Sequence, residues 1–353
     1  MRFTAGLVLM SALAVGCGRS ALDDGPGETG ANVPAKDAAS PSPPDAVLAR
    51  AGCGKPLPSD QPRTIPGTPQ GYLHDTVMGT GATLAGAVPA NAGPITFWVR
   101  VPADYDPNHA YRVVYIGARC DAPGVANVDA FQLYAESQGG SEEAIYVALD
   151  TPASGPSTCY DTSGVSSPEW EAFQLIHAVV DQTYCVDEDQ VFASGYSGGG
   201  SLASMWGCYF AGDGAHPWNG VPGGGAASAP RQFAPRYHLR GQASVAGDDP
   251  VDDPPCNGPI AALFVTQPTP GGGGGFTNSR AIARALTMNG CDPGSMAAWH
   301  PEVHLLSSCT QYTSCPHGFP VVTCPTLDNQ QDDHQIAIAA FTRFFDDVTG
   351  GGP

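Results

Sequence analysis

Basic side chains are scarce here. Fifteen Lys and Arg stand against 34 Asp and Glu in 353 residues, for a formal net charge of -19. Phosphate binding needs clustered Lys and Arg, so this balance excludes a nucleic-acid partner and electrostatic adsorption to anionic lipid. Charged residues of both signs make up only 14%, against 42% hydrophobic, enough apolar material for a large core. Beyond the N-terminus no apolar run is long enough to span a bilayer. There is no C-x-x-C pair, which weighs against a zinc ribbon or a thioredoxin-type site. The glycine run Gly271 to Gly275 is followed by no Lys-Ser or Lys-Thr, so it is no phosphate loop. Aromatic residues are 8%, too few and scattered to outline a sugar-stacking platform. Nothing in the sequence requires a cofactor or a metal.

What is present starts with an export signal. Arg2 precedes a short apolar stretch, "LVLMSALAV", Leu7 to Val15, and the segment ends in "AVGC", Ala14 to Cys17. That ending resembles a bacterial lipobox, in which the cysteine is lipidated. We therefore expect a signal peptide over residues 1–16, with either a lipidated Cys17 that anchors the chain to a membrane or ordinary secretion. Residues 17–50 are rich in Pro, Gly, Ala, Ser and Asp without an aromatic residue, the composition of a disordered linker. Residues 51–350 form the globular domain. Setting Cys17 aside leaves ten cysteines, an even set that suggests up to five disulfides in an exported protein. Cys185 with Cys208, and less strongly Cys256 with Cys291, are the pairings expected.

Within the domain, short apolar runs alternate with amphipathic ones. "ITFWVRV" (Ile95 to Val101) alternates as an edge or outer strand does. "YRVVYI" (Tyr111 to Ile116), "AIYVAL" (Ala144 to Leu149), "VFAS" (Val191 to Ser194), "IAALFV" (Ile260 to Val265) and "PVVTC" (Pro320 to Cys324) are continuous apolar runs, as in buried parallel strands. A further strand is placed around "GGGAASAP". Ser167 followed by Pro168 and Glu169 predicts a helix start, and Trp170, Phe173, Ile176, Val180 and Tyr184 recur at helical spacing. A second helix stops at Asn289-Gly290, and "HQIAIAAFTRFFDDV" predicts the last. The pattern is α/β with a mostly parallel sheet and helices on both faces, stapled by disulfides.

One serine sits where this pattern makes it chemically pointed. Gly195-Tyr196-Ser197-Gly198-Gly199 matches G-x-S-x-G, between the strand "VFAS" and an apolar-periodic stretch through Leu202, Met205, Trp206 and Tyr209. Strand, sharp turn and helix are the context of a nucleophile elbow, in which the N–H of the following residue, here Gly198, faces an oxyanion. A serine needs a base. Of nine histidines only His334 follows "PVVTC" and precedes the expected last helix. "HPEVH" also places His300 and His304 four apart, but Pro301 suggests an extended segment, and no third ligand has metal spacing.

The segments "YRVVYIGARC", "SPEWEAFQLIHAVVDQTYCVDEDQVFASGYSGGG", "IARALTMNGCD" and "SCTQYTSCPHGFPVVTC" resemble, in order, the secreted esterases of carbohydrate esterase family 1. That group contains feruloyl esterases, acetylxylan esterases and polyhydroxybutyrate-depolymerase-like enzymes. The resemblance implies an α/β-hydrolase fold, Ser197 as nucleophile and His334 as base. It implies an oxyanion hole from the Gly198 N–H and the loop carrying Arg119 and Cys120. It implies an ester substrate, either linked to a polysaccharide or part of a polyester. Two departures stand out. The loop where the family carries its catalytic Asp reads "TQPTPGGGGGF", Thr266 to Phe276, without an acid, and "GGGAASAP" offers none either. Asp248, Asp249, Asp252, Asp253, Asp292 and Asp328 are the substitutes considered. The usual glycine-rich HG-like oxyanion sequence is replaced by "GARCDAPG". The alternative reading is a surface lipoprotein of degenerate esterase fold that binds a glycan or a protein partner.

Overall fold

The computed structural model describes residues 51–57, 72–78, 94–102, 104–120, 144–149, 159–162, 167–211, 237–247, 256, 258–267, 278–315, 319–326 and 330–349, with some side chains inside these stretches excepted. Residues 47–353 belong to one compact unit. The expected signal segment, Cys17 and the linker lie outside the described residues, and among the described residues no helix is long and apolar enough to cross a membrane.

Ten described strands form one sheet: β1 Tyr72–Met78, β2 Pro94–Arg100, β3 Tyr111–Gly117, β4 Ala144–Leu149, β5 Val186–Tyr196, β6 Gly241–Val245, β7 Ala261–Thr266, β8 Met296–Ala298, β9 Thr310–Tyr312 and β10 Val321–Pro325. Their order is β1-β2-β4-β3-β5-β6-β7-β10-β9-β8. The six central strands, β4 to β10 in that order, run parallel, and β2 and β9 flank them antiparallel. This order, with an antiparallel second strand and a strand–turn–helix after β5, is the α/β-hydrolase fold. Among the described residues four α-helices join the strands: α1 Pro168–Thr183, α2 Gly198–Tyr209, α3 Ser279–Asn289 and α4 Gln330–Thr349.

The continuous apolar runs follow from burial on both faces. Val113 and Tyr115 of β3, with Val191 and Ala193 of β5, pack against Phe173 and Ile176 of α1 and Met205 and Trp206 of α2. The alternate residues Val114, Ile116 and Phe192 face the other side, where Phe341, Phe344 and Phe345 of α4 cover them. Successive strand side chains point to opposite faces, so a strand covered twice has few positions for polar residues. The start of α1 and the end of α3 fall where expected. The Ser167 side chain accepts from the Trp170 N–H at 3.2 Å, and Gly290 closes α3 at φ 62.

Several expectations need correction. The stretch "GGGAASAP" lies outside the described residues, and β6 is a strand that the sequence pattern did not place, its apolar run being interrupted by Gln242 and Ser244. Of the two places open to "ITFWVRV", edge or outer strand, it takes the outer one, with β1 pairing beyond it. All ten cysteines are bridged, but as Cys53–Cys185, Cys120–Cys159, Cys208–Cys256, Cys291–Cys315 and Cys309–Cys324. Neither Cys185–Cys208 nor Cys256–Cys291 forms. The N-terminal turn around Gly52 packs against the Tyr184 carbonyl and brings Cys53 to Cys185; the end of α2 meets the segment entering β7. Those adjacencies are set by the sheet order, which linear spacing does not encode. His300 lies in a turn after β8 rather than an extended segment, and His304 opens a 3-10 turn. The His300 ring is committed to Glu302 at 2.8 Å and Asp347 at 3.0 Å.

One buried carboxyl gives a pH-dependent stability. Glu169, in the first turn of α1, is 5% exposed. Burial pushes its pKa up to about 7, against the opposing pull of its own and the Asp161 backbone N–H groups. The unfolded chain ionises near pH 4.3 while the folded one stays neutral. Stability relative to Glu169→Gln therefore falls as pH rises from about 4.5 and levels off past about pH 7, a relative change of about 3 kcal/mol. Urea midpoints of both proteins at pH 5, 6, 7 and 8 test this; parallel profiles would refute it.

Candidate active site

Ser197 stands between β5 and α2 at φ 53 and ψ -117, a conformation rare for a residue with a side chain. Its N–H donates to the Val245 carbonyl at 2.8 Å, and its own carbonyl accepts from the Ser201 N–H at 3.0 Å, starting α2. The serine is half-buried. The strain is held in place by close backbone packing. A Cβ on Gly195 would overlap the Gly199 carbonyl, one on Gly199 would overlap the Gly117 carbonyl, and one on Gly117 would lie 2.6 Å from the Gly199 Cα. Gly117 and Gly195 are also paired as the last residues of the β3–β5 register. The two glycines of the motif are thus required by backbone approach, and Gly117 is a third member that the motif alone did not reveal.

Helix α2 begins on three glycines without a side-chain cap, leaving its first N–H groups and the positive end of its dipole at the turn. The loop leaving β3 lies against it. A Cβ on Gly198 would sit 2.8 Å from Cys159 Sγ, on top of Cys120 Sγ, and 3.4 Å from the Cys120 backbone N. The structure thus brings the expected oxyanion residues Gly198 and Cys120 together. Arg119, between Ala118 and Cys120 in that loop, is exposed.

The other expected participants divide. His334 is the fifth residue of α4, not in a loop before the helix, and its side chain lies outside the described residues. Asp332 and Asp333 suit the first turn of a helix, which is why α4 starts earlier than the apolar pattern suggested. Strand β10 is parallel to β7, so the start of α4 leaves the same sheet edge as Ser197; Thr326 ties that exit to the Thr266 carbonyl at 2.9 Å. Asp292 is on the wrong edge. It follows α3, whose last residue Asn289 bonds the N–H of Ile260 at the start of β7 at 3.0 Å, and its carboxylate closes a turn onto Gly294. Asp248, Asp249, Asp252, Asp253, Asp328 and most of the acid-free stretch after β7 lie outside the described residues. The strand that leads into the Asp248 run is β6, however, and Gly247 packs against Gly200 and Ser201.

Two buried residues at this edge were missed in the sequence. Asn278, at φ 51, donates to the Val265 carbonyl at 3.2 Å and accepts from Ser244 Oγ at 3.0 Å, tying the ends of β6 and β7. Tyr160 does the same for β3 and β4. No motif marks either; their partners are 11 to 42 residues away.

No protein-family model matches the sequence, and no curated protein matches it. Solved structures do. An acetyl xylan esterase from Aspergillus awamori aligns with 76% of this chain and 100% of its own at 11% identity and a TM-score of 0.44. A ferulic acid esterase aligns with 78% of this chain and 98% of its own, at 11% identity and 0.44. A thermophilic esterase from the Planctomycetes species Thermogutta terrifontis aligns with 78% and 92%, at 10% identity and 0.46.

Proposed function

We propose that this chain is an exported serine esterase. The observation that carries the reading is the strained Ser197 at the exit of β5, held by three mutually touching glycines with the uncapped start of α2 behind it. Ser197 Oγ attacks the carbonyl carbon of an ester. His334 takes the serine proton and delivers it to the departing alcohol, leaving an acyl-enzyme. The Gly198 and Cys120 N–H groups hold the tetrahedral oxyanion. Water, activated by the same histidine, then releases the acid and restores the serine.

The acid that orients the histidine belongs in this reading to the run Asp248, Asp249, Asp252 and Asp253, because β6 ends against the nucleophile turn and the stretch after β7 has no acid. The substrates proposed are feruloyl or acetyl esters of plant cell-wall polysaccharides, or polyesters. Five disulfides support folding in an oxidising compartment, and the N-terminal segment with Cys17 supplies the proposed export and anchoring. The missing acid after β7 also favours a second reading, a non-catalytic surface lipoprotein that binds a glycan or a protein.

A fluorophosphonate probe separates the two. In the esterase, Ser197 Oγ displaces fluoride from phosphorus and becomes labelled stoichiometrically in folded protein, as mass spectrometry of the peptide would show. Absence of label on Ser197 would overturn the enzyme reading and leave the binding protein.

A further inference from the structure

We propose that Tyr160 and the Cys120–Cys159 disulfide are the positioning device of the oxyanion hole, holding the Cys120 N–H against Gly198 in place of a glycine-rich loop. The proposal rests on the esterase reading and deepens it.

The β3–β4 ladder ends at the pair Gly117 and Leu149. Just past that pair the Tyr160 hydroxyl bridges the two strands. It accepts from the Ala118 N–H at 2.9 Å and donates to the Leu149 carbonyl at 2.9 Å, so one side chain forms the next rung of the sheet. Tyr160 is 6% exposed, where an unmet backbone donor or acceptor is costly. The residue before it, Cys159, is bonded to Cys120, two residues after Ala118. The three-residue loop Ala118-Arg119-Cys120 is therefore fastened at both ends by two consecutive residues. Both sulfurs also touch the Cα side of Gly198, which leaves no room for the loop to shift toward α2.

This explains the substitution of "GARC" for a glycine-rich sequence. A glycine loop reaches an oxyanion by adopting conformations that other residues avoid. A loop with Ala, Arg and Cys has less conformational freedom, and an external staple fixes where its N–H points. Donors aimed at developing charge act only when they are held at the right place, so Tyr160 acts on kcat through Cys120 and never touches substrate.

The test uses the full chain, p-nitrophenyl acetate and its thiono analogue, with active sites counted by fluorophosphonate titration so that only folded enzyme enters kcat. Tyr160→Phe is expected to lower kcat per labelled site by roughly 10- to 100-fold with KM changed by less than about threefold. The preference for the oxo over the thiono ester should shrink in parallel, because a C=S group draws little from N–H donors. A variant that is merely less stable would lose both substrates equally. The pair Cys120→Ala with Cys159→Ala is expected to act in the same direction and decides the matter if Tyr160→Phe does not fold. Unchanged kcat and unchanged oxo-to-thiono ratio per site in either variant would overturn the staple while leaving the esterase intact. Failure of the wild-type protein to be labelled at Ser197 would overturn both.

Discussion

Replacing Ser197 with alanine is expected to abolish ester turnover, with kcat falling on the order of 10^6-fold, the scale seen when a serine hydrolase loses its nucleophile. The remaining rate would come from the oxyanion donors and substrate binding alone. The fold should not suffer. Alanine presents the same Cβ at φ 53 as serine does, and the described contacts that hold the turn are backbone ones: the Ser197 N–H on the Val245 carbonyl and the Ser201 N–H on the Ser197 carbonyl. Circular dichroism melts should superimpose while p-nitrophenyl acetate hydrolysis disappears. Hydrolysis that survives at the wild-type rate would assign the activity to another residue. His334→Ala should cost about as much, because in such a unit nucleophile and base fail together. Changing the four aspartates after β6 singly to asparagine should single out one with a smaller loss, on the order of 10^4-fold. Wild-type protein that turns over no ester but binds a glycan equally well with Ser197→Ala would instead support the binding protein.

The second large effect is on folding. Gly199→Ala is expected to destabilise the protein by more than about 3 kcal/mol and to lower Tm by roughly 6–12 °C. The added methyl would overlap the carbonyl groups of Gly117 and Ala118, which are backbone atoms of β3 and its exit and cannot rotate aside. Relief would require α2 to lift from the sheet, and α2 is buried along its whole length. Gly54→Ala is the matched control. It also meets an unfavourable backbone, at φ 79, but has nothing within 4 Å of the new methyl, so its cost should stay near 1 kcal/mol. Equal melting temperatures for Gly199→Ala and wild type would mean that the three-glycine contact does not hold the elbow.

Much of this arrangement follows from local sequence. The strands β3, β4, β7 and β10, and the Val191–Ser194 part of β5, are readable because burial on both faces leaves few polar residues in them. Ser167 and Gly290 mark helix ends through contacts within four residues. Ser197 is readable because a strained turn needs glycine around it. Strand β6 was illegible for the opposite reason. Its Ser244 is buried on a partner, Asn278, that lies 34 residues on, so the strand looks polar until the fold supplies the acceptor.

The sequence by itself determined the alternation of strands and helices, the nucleophile turn and the even set of cysteines, all consequences of period, backbone freedom and count. Only the tertiary structure decided which cysteines meet, that Gly117 completes the glycine contact, and that Tyr160 closes the rung between β3 and β4. These are pairings across 11 to 132 residues, fixed by which strands lie side by side, and no local pattern carries that information.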